Sequence, residues 1–112
     1  MLALSDLGET KVAIDAALVE GIASLMSHAV DVARHLGLHV PSSDARRVAI
    51  LSTAPGALLL GATVKIVELP SDAVRPLPPF VADHLRALAI DRIVALDDGF
   101  AYLVAPERLP LR

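Results

Sequence analysis

The side chains able to do chemistry in this 112-residue chain are few, and they begin with four histidines, His28, His35, His39 and His84, in the absence of any cysteine. Without cysteine there are no disulfide scaffolds, thiolate metal sites or cysteine nucleophiles. His28, Asp31, His35 and His39 form the one group with metal-ligand residue types close in sequence, and a zinc site asks for three or four converging ligands. Asp31 and His35 stand four apart and share a face if that stretch is helical, but Gly37 interrupts the helix before His39. Histidines that are exposed or sit at a helix end need no ligand, and this structural reading is the stronger one. Ser27, His28 and Asp31 supply the residue types of a triad. However, adjacency of Ser27 and His28 seldom sets a base beside its nucleophile.

Asp97-Asp98 pairs two carboxylates, yet the following Gly99 makes a hairpin turn the better explanation. Gly56-Ala57-Leu58-Leu59-Leu60-Gly61-Ala62-Thr63 resembles a phosphate loop in its glycines. The lysine position is Ala62, so the cation that meets the phosphates is missing. None of these groupings amounts to an active site. The chain is expected not to be an enzyme and to carry no cofactor and no metal.

The elements around these residues are short and mostly extended. Leu2, Leu4 and Leu7 lead into Gly8-Glu9-Thr10, and the alternation of Val12 and Ile14 follows, which predicts an opening hairpin. Ala16 to Met26 reads two ways: Leu18, Val19, Ile22 and Leu25 fit a helical face, while Val19 and Ile22 fit strands around Gly21. Asp31 to Leu36 reads as a short helix capped by Asp31 and stopped by Gly37. Arg46 to Ser52 is a β run, Pro55-Gly56 a turn, and Ala57 to Leu69 the longest strand-like tract, with Gly61 marking a bulge or sharp bend. Pro70 to Pro79 is an extended crossing. Phe80, Val81, His84, Leu85 and Leu88 have helical spacing. Ile90–Leu96 and Phe100–Val104 flank Asp97-Asp98-Gly99, the strongest hairpin signal in the chain. Pro106 opens a final helical turn near Leu109.

Composition narrows the function classes. Hydrophobic residues make up 54% and charged ones 21%, which rules out a disordered chain. Aromatics are 3% (Phe80, Phe100 and Tyr102), so the core must be aliphatic. A formal charge of −3 is the wrong sign for nucleic acid, and stacking aromatics for single strands are lacking. The residues from Val48 to Val64 carry no charge, but Pro55-Gly56 at their centre fits a strand pair rather than a membrane span. Met1 to Leu7 carries Asp6 and no leading cation, so it does not read as a signal peptide. A cytoplasmic protein is the expectation.

The order of these pieces resembles CheW-like domains. Lys11-Val12-Ala13-Ile14-Asp15 followed by Val19-Glu20-Gly21-Ile22 is similar to the family's opening strand and the Val-x-Glu-Ile stretch after it. Val30-Asp31-Val32-Ala33 with Leu36-Gly37-Leu38 resembles its Val-Asp-Leu segment and short helix. Val48-Ala49-Ile50-Leu51, the Pro55-Gly56 turn and Leu58 to Val64 resemble the next hairpin, with Thr63 or its neighbour in place of the family's aspartate. Ile66-Val67-Glu68-Leu69, Ser71 and Val74-Arg75-Pro76-Leu77-Pro78 resemble the segment ending in Pro-x-Pro. Ile90 to Leu96, Asp98-Gly99, Tyr102-Leu103-Val104 and Glu107-Arg108-Leu109 resemble the closing hairpin and turn. The family's Gly-x-x-Asn-Leu-Arg-Gly stretch is absent between Gly21 and Asp31. In one register Ser24-Leu25-Met26-Ser27 stands there, with Met26 in place of the arginine; in the other the stretch is deleted.

The resemblance implies a mostly β fold of two small SH3-like five-stranded barrels sharing one core, with one or two short helices. It implies a single domain, with a shortened first part over residues 1–45 and a second barrel and closing segment over 46–112. The shortening leaves strand edges that must be covered. The implied role is that of a non-catalytic bacterial adaptor in a chemotaxis-type system, binding a CheA-type histidine kinase, the cytoplasmic domain of a chemoreceptor, or both. Val19, Ile22 and Val30 around the shortened stretch, with Val64 and Ile66 on the facing hairpin, are the expected contact residues; each also reads as ordinary core. Two alternatives stand beside it: a divergent domain that self-associates as a homodimer outside a receptor array, and a small metal- or ligand-binding barrel. Neither nucleic acid nor membrane insertion is expected.

Overall fold

Apolar alternation at the N-terminus folds as an antiparallel hairpin, β1 (Leu2–Leu7) and β2 (Thr10–Asp15), with Leu7 opposite Thr10 and Leu2 opposite Asp15. The computed structural model describes residues 1–24, 29–38 and 46–109. The stretch from Ala16 resolves into a 3₁₀ turn over Ala16–Leu18, capped by the Asp15 carboxylate, and β3 (Val19–Ala23). Leu25 to His28 lie outside the described residues, and so does part of the stretch discussed above for the missing arginine. β4 (Val30–Asp31) runs into α1 (Val32–His35), where Asp31 accepts the Arg34 N–H at 3.2 Å. Gly37 at φ +74° turns the chain out of that helix, a backbone conformation glycine takes without a Cβ penalty.

β5 (Val48–Leu51) and β6 (Ala57–Leu59) pair antiparallel across the Pro55-Gly56 turn. The tract from Ala57 to Leu69 is not one bent strand. It breaks at Leu60–Thr63 and resumes as β7 (Val64–Val67) in the other sheet. A 3₁₀ turn (Ser71–Ala73) and β8 (Val74–Arg75) follow, then α2 (Pro79–Ala87), β9 (Ile90–Leu96), β10 (Gly99–Val104) and a 3₁₀ turn over Pro106–Arg108.

The strands form two sheets, as the mostly β reading with two subdomains requires. One has six strands in the order β7-β1-β2-β10-β9-β8, the other four in the order β3-β5-β6-β4. These counts replace the two five-stranded units expected. β2 and β10 pair parallel, with Lys11 opposite Ala101, so the first hairpin and the last are stitched together.

Between the sheets lies the main core. Leu7, Val12 and Ile14 from the first hairpin meet Val30, Ala49, Leu51, Leu58 and Leu60, with Val32 and Ala33 of α1 closing one side. On the opposite face of the six-stranded sheet, Ala13, Val94 and Ala101 are buried with Leu2, Leu4, Leu69 and Leu96 packed on them. A third cluster, Leu77, Ala82 and Ile90, lies under α2. Phe80 and His84 are exposed, Phe80 at 89%, so not all the residues with helical spacing face the core. Leu85 and Leu88 pack against this cluster, while Phe80 and His84 fall on the solvent side of the helix.

The passage from β6 to β7 depends on two residues. Ser5 is 3% exposed; its hydroxyl donates to the Thr63 carbonyl at 2.8 Å and accepts the Gly61 N–H at 2.9 Å. Gly61 lies so close to β1 that a Cβ there would collide with the Asp6 carbonyl oxygen. Both partners are backbone, so no side chain can swing aside.

Gly61→Ala should therefore cost about 1–3 kcal/mol of stability, the range for overpacking. Gly21→Ala, whose Cβ meets nothing within 4 Å, should stay within about 0.5 kcal/mol. Ser5→Ala should cost about 1–3 kcal/mol by stranding a buried carbonyl and N–H. Urea unfolding midpoints at unchanged slope measure all three; equal midpoints for the two glycine variants would contradict the steric account.

Candidate functional site

Asp31, His35 and Asp98, three of the titratable groups singled out in the sequence, are held by structural partners. Asp31 caps α1 and accepts a two-pronged contact from Arg46, Nη2 to Oδ1 at 2.7 Å and Nη1 to Oδ2 at 3.0 Å. Arg46 also donates from Nε to the Leu60 carbonyl at 2.8 Å, so one guanidinium ties α1 to the end of β6. Burial works against the charged form of Asp31. The Arg46 hydrogen bonds, the Arg34 N–H and the attraction of Arg46 outweigh it and hold the carboxyl below its usual range. The Nε2 of His35 lies 3.1 Å from the Leu88 carbonyl at the end of α2. His84 is exposed on α2, while His28 and His39, with Ser27, lie outside the described residues. Among the described residues no three His, Cys, Asp or Glu side chains converge as a metal site would require.

Asp97 and Asp98 sit at the β9–β10 turn, as the hairpin reading has it. Asp98 pairs with Lys11 across the β2–β10 junction at 2.8 Å. That hydrogen bond lowers the Asp98 carboxyl from its ordinary value and raises the Lys11 ammonium. Ala57-Leu58-Leu59, the middle of the phosphate-loop resemblance, is strand β6, paired with β5 on one side and β4 on the other. Its amides thus serve a sheet, not an anion.

All five expected contact residues lie on edge strands. Val19 and Ile22 are on β3 and Val30 on β4, the two edges of the four-stranded sheet; Val64 and Ile66 are on β7, an edge of the six-stranded one. Ile22 is 46% and Ile66 51% exposed. Val19 and Val64 are half-buried against the main core, and Val30, at 2%, is inside it. On β7, Val64 and Ile66 share one face with Ser5 and Ala3, while Lys65 and Val67 share the other with Leu4 and Leu2.

Two cavities adjoin the six-stranded sheet. One, about 390 Å³, is lined by Leu4, Lys65, Val67, Leu69, Leu96 and Asp97 among others. The other, about 270 Å³, lies between Glu9, Thr10, Phe100 and Tyr102. Lys11 and Asp98 line both, so their ion pair is the wall between them. Sequence reasoning passed over Arg46 as the start of a strand and Phe100 as one more strand residue. A lone arginine before an apolar run gives no sign of which carboxylate it will meet.

This geometry has no arrangement of nucleophile, base and oxyanion donors among the described residues. It has two β sheets on one core with apolar side chains left at their edges, the architecture of a CheW-like fold. No family model matches the sequence, and no curated protein matches it. The solved structure of the scaffolding protein TtCheW from Thermoanaerobacter tengcongensis is similar, with a TM-score of 0.68 over 93% of this chain and 87% of that one, at 12% identity. At that identity the likeness is one of fold. No described helix is long and apolar enough to cross a membrane.

Because the Asp31 carboxyl is lowered on folding, its contribution to stability is complete above the ordinary carboxylate range and is lost as pH falls through the lowered value. Stability of the parent should fall more steeply than that of Asp31→Asn as pH drops from neutral toward 3, roughly the unfolded carboxylate range and below. Parallel curves from pH-dependent urea unfolding would remove Asp31 from the account.

Proposed function

We propose that this chain is a non-catalytic adaptor in a chemosensory signalling system. It binds a CheA-type histidine kinase, a chemoreceptor cytoplasmic domain, or both, through apolar side chains at its sheet edges. The observation that carries this reading is the fold shared over 93% of the chain with a scaffolding protein. It is supported by Ile22 and Ile66, large aliphatic side chains about half exposed on edge strands. Such residues serve an interface core better than they serve solvent. Val19 and Val64 lie half-buried on the same two strands, and Val30 sits within the core. The role requires no cofactor and places the protein in the cytoplasm.

Self-association is the second reading. Among the described residues β3 pairs only with β5, which leaves its other edge, with Ile22 exposed, open to a second copy.

Pull-down from a bacterial lysate separates these readings when the parent is compared with Ile22→Asp and Ile66→Asp, both at exposed positions where folding changes little. Capture of a kinase or receptor by the parent, reduced ~10-fold or more in a variant, is the expected result; this corresponds to about 1.4 kcal/mol. Capture of the domain alone would replace the adaptor reading with the second. Light scattering at ~100 µM then decides that one, since a strict monomer there is incompatible with a stable edge-paired dimer.

A further inference from the structure

The parallel pairing of β2 with β10 sets the β1–β2 and β9–β10 turns side by side at one end of the six-stranded sheet. Between them opens the cavity of about 270 Å³ lined by Glu9, Thr10, Lys11, Asp98, Phe100 and Tyr102. Its aromatic wall is unusual for this chain, because two of its three aromatic residues meet there. Phe100 and Tyr102 are in edge-to-face contact, centroids 5.3 Å apart and planes at 80°. That arrangement leaves each ring with at least one face the other does not cover, and Phe100 is 52% exposed. Free aromatic faces attract cations.

The charge in the groove has the matching sign. Lys11 lines it, but its ammonium is held by Asp98 at 2.8 Å. Glu9 has no hydrogen-bond or ion-pair partner among the described residues, so the uncompensated charge facing the groove is negative. The volume lies below the ~300–1,000 Å³ usual for small-molecule pockets, which fits one side chain rather than a cofactor. A planar guanidinium stacks on an aromatic face and meets a carboxylate at the same time, which an ammonium does less well.

We propose that this groove takes an arginine side chain presented by a protein partner, the guanidinium stacked on Phe100 and paired with Glu9. The inference rests on the groove and not on the adaptor reading; failure to capture a kinase or receptor leaves it standing.

Tyr102 is the chain's one tyrosine and there is no tryptophan, so its fluorescence reports the site alone. The full chain is titrated with acetyl-Leu-Arg-Leu-amide and with the citrulline peptide of the same shape and no charge. A saturable change with the arginine peptide is expected, at least ~5-fold weaker with citrulline and weakened by added salt. Glu9→Gln and Phe100→Leu should each weaken binding ~2–5-fold, while Phe80→Leu, an exposed aromatic outside the groove, leaves it unchanged. Equal binding of the two peptides, unchanged affinity in either groove variant, or no saturable change up to ~10 mM overturns the proposal.

Discussion

The contact on which the fold depends is the passage of Gly61 against the backbone of β1, secured by the Ser5 hydroxyl. After β6 the chain must leave the four-stranded sheet and within a few residues enter the six-stranded one beside β1. Ser5 stands opposite Val64 in that new pairing, so the hydroxyl that greets the incoming chain also sets its register. A slip by one residue would exchange the rows of β7 and turn Lys65 toward the main core. Joined here, the sheets bury Leu7, Val12 and Ile14 against Leu58 and Leu60 and form one continuous interior. A side chain at position 61 or an apolar residue at position 5 undoes the joint from either side.

Polar groups elsewhere follow the same economy. Asp31 and His35 look like raw material for a site when seen in sequence, whereas Arg46 reads only as the start of a strand. In the fold each is occupied by a helix end or a strand end, because short elements leave many backbone groups without partners. In a chain of short strands and short helices, Asp31, Arg46 and His35 serve as fasteners. Large aliphatic side chains stay half exposed at Ile22 and Ile66.

Much of the architecture was legible because strand pairs and turns are written in local chemistry. The opening hairpin, the Asp97-Asp98-Gly99 turn, the Asp31 cap and the Gly37 stop all occur where alternation and turn residues place them. The break in the tract after Ala57 was visible as Gly61, yet whether a glycine marks a bulge or a change of sheet is decided by β1, more than fifty residues earlier. Ala16 to Met26 was ambiguous because Val19 and Ile22 satisfy both periods; pairing with β5 made Val19–Ala23 a strand. The helix from Pro79 was legible in the spacing of Phe80, Val81, His84, Leu85 and Leu88, but that spacing spans two adjacent rows and did not tell which one is buried. For the expected contact residues, the sequence could mark apolar positions but could not tell Ile22 and Ile66 at the surface from Val30 in the core. That distinction belongs to packing between sheets.

The parallel seam between β2 and β10 also orders events in time. The six-stranded sheet takes its strands from residues 2–15 and 64–104, and the whole of the four-stranded sheet lies between them in the chain. On a ribosome the first hairpin emerges early, with the edge that β10 will occupy still bare, and it waits for the last strands to be made. At ~5–20 residues per second that wait lasts several seconds, while β3 to β6 already have all their mutual partners. The segment made in the middle can settle first, and the two ends of the chain close around it last.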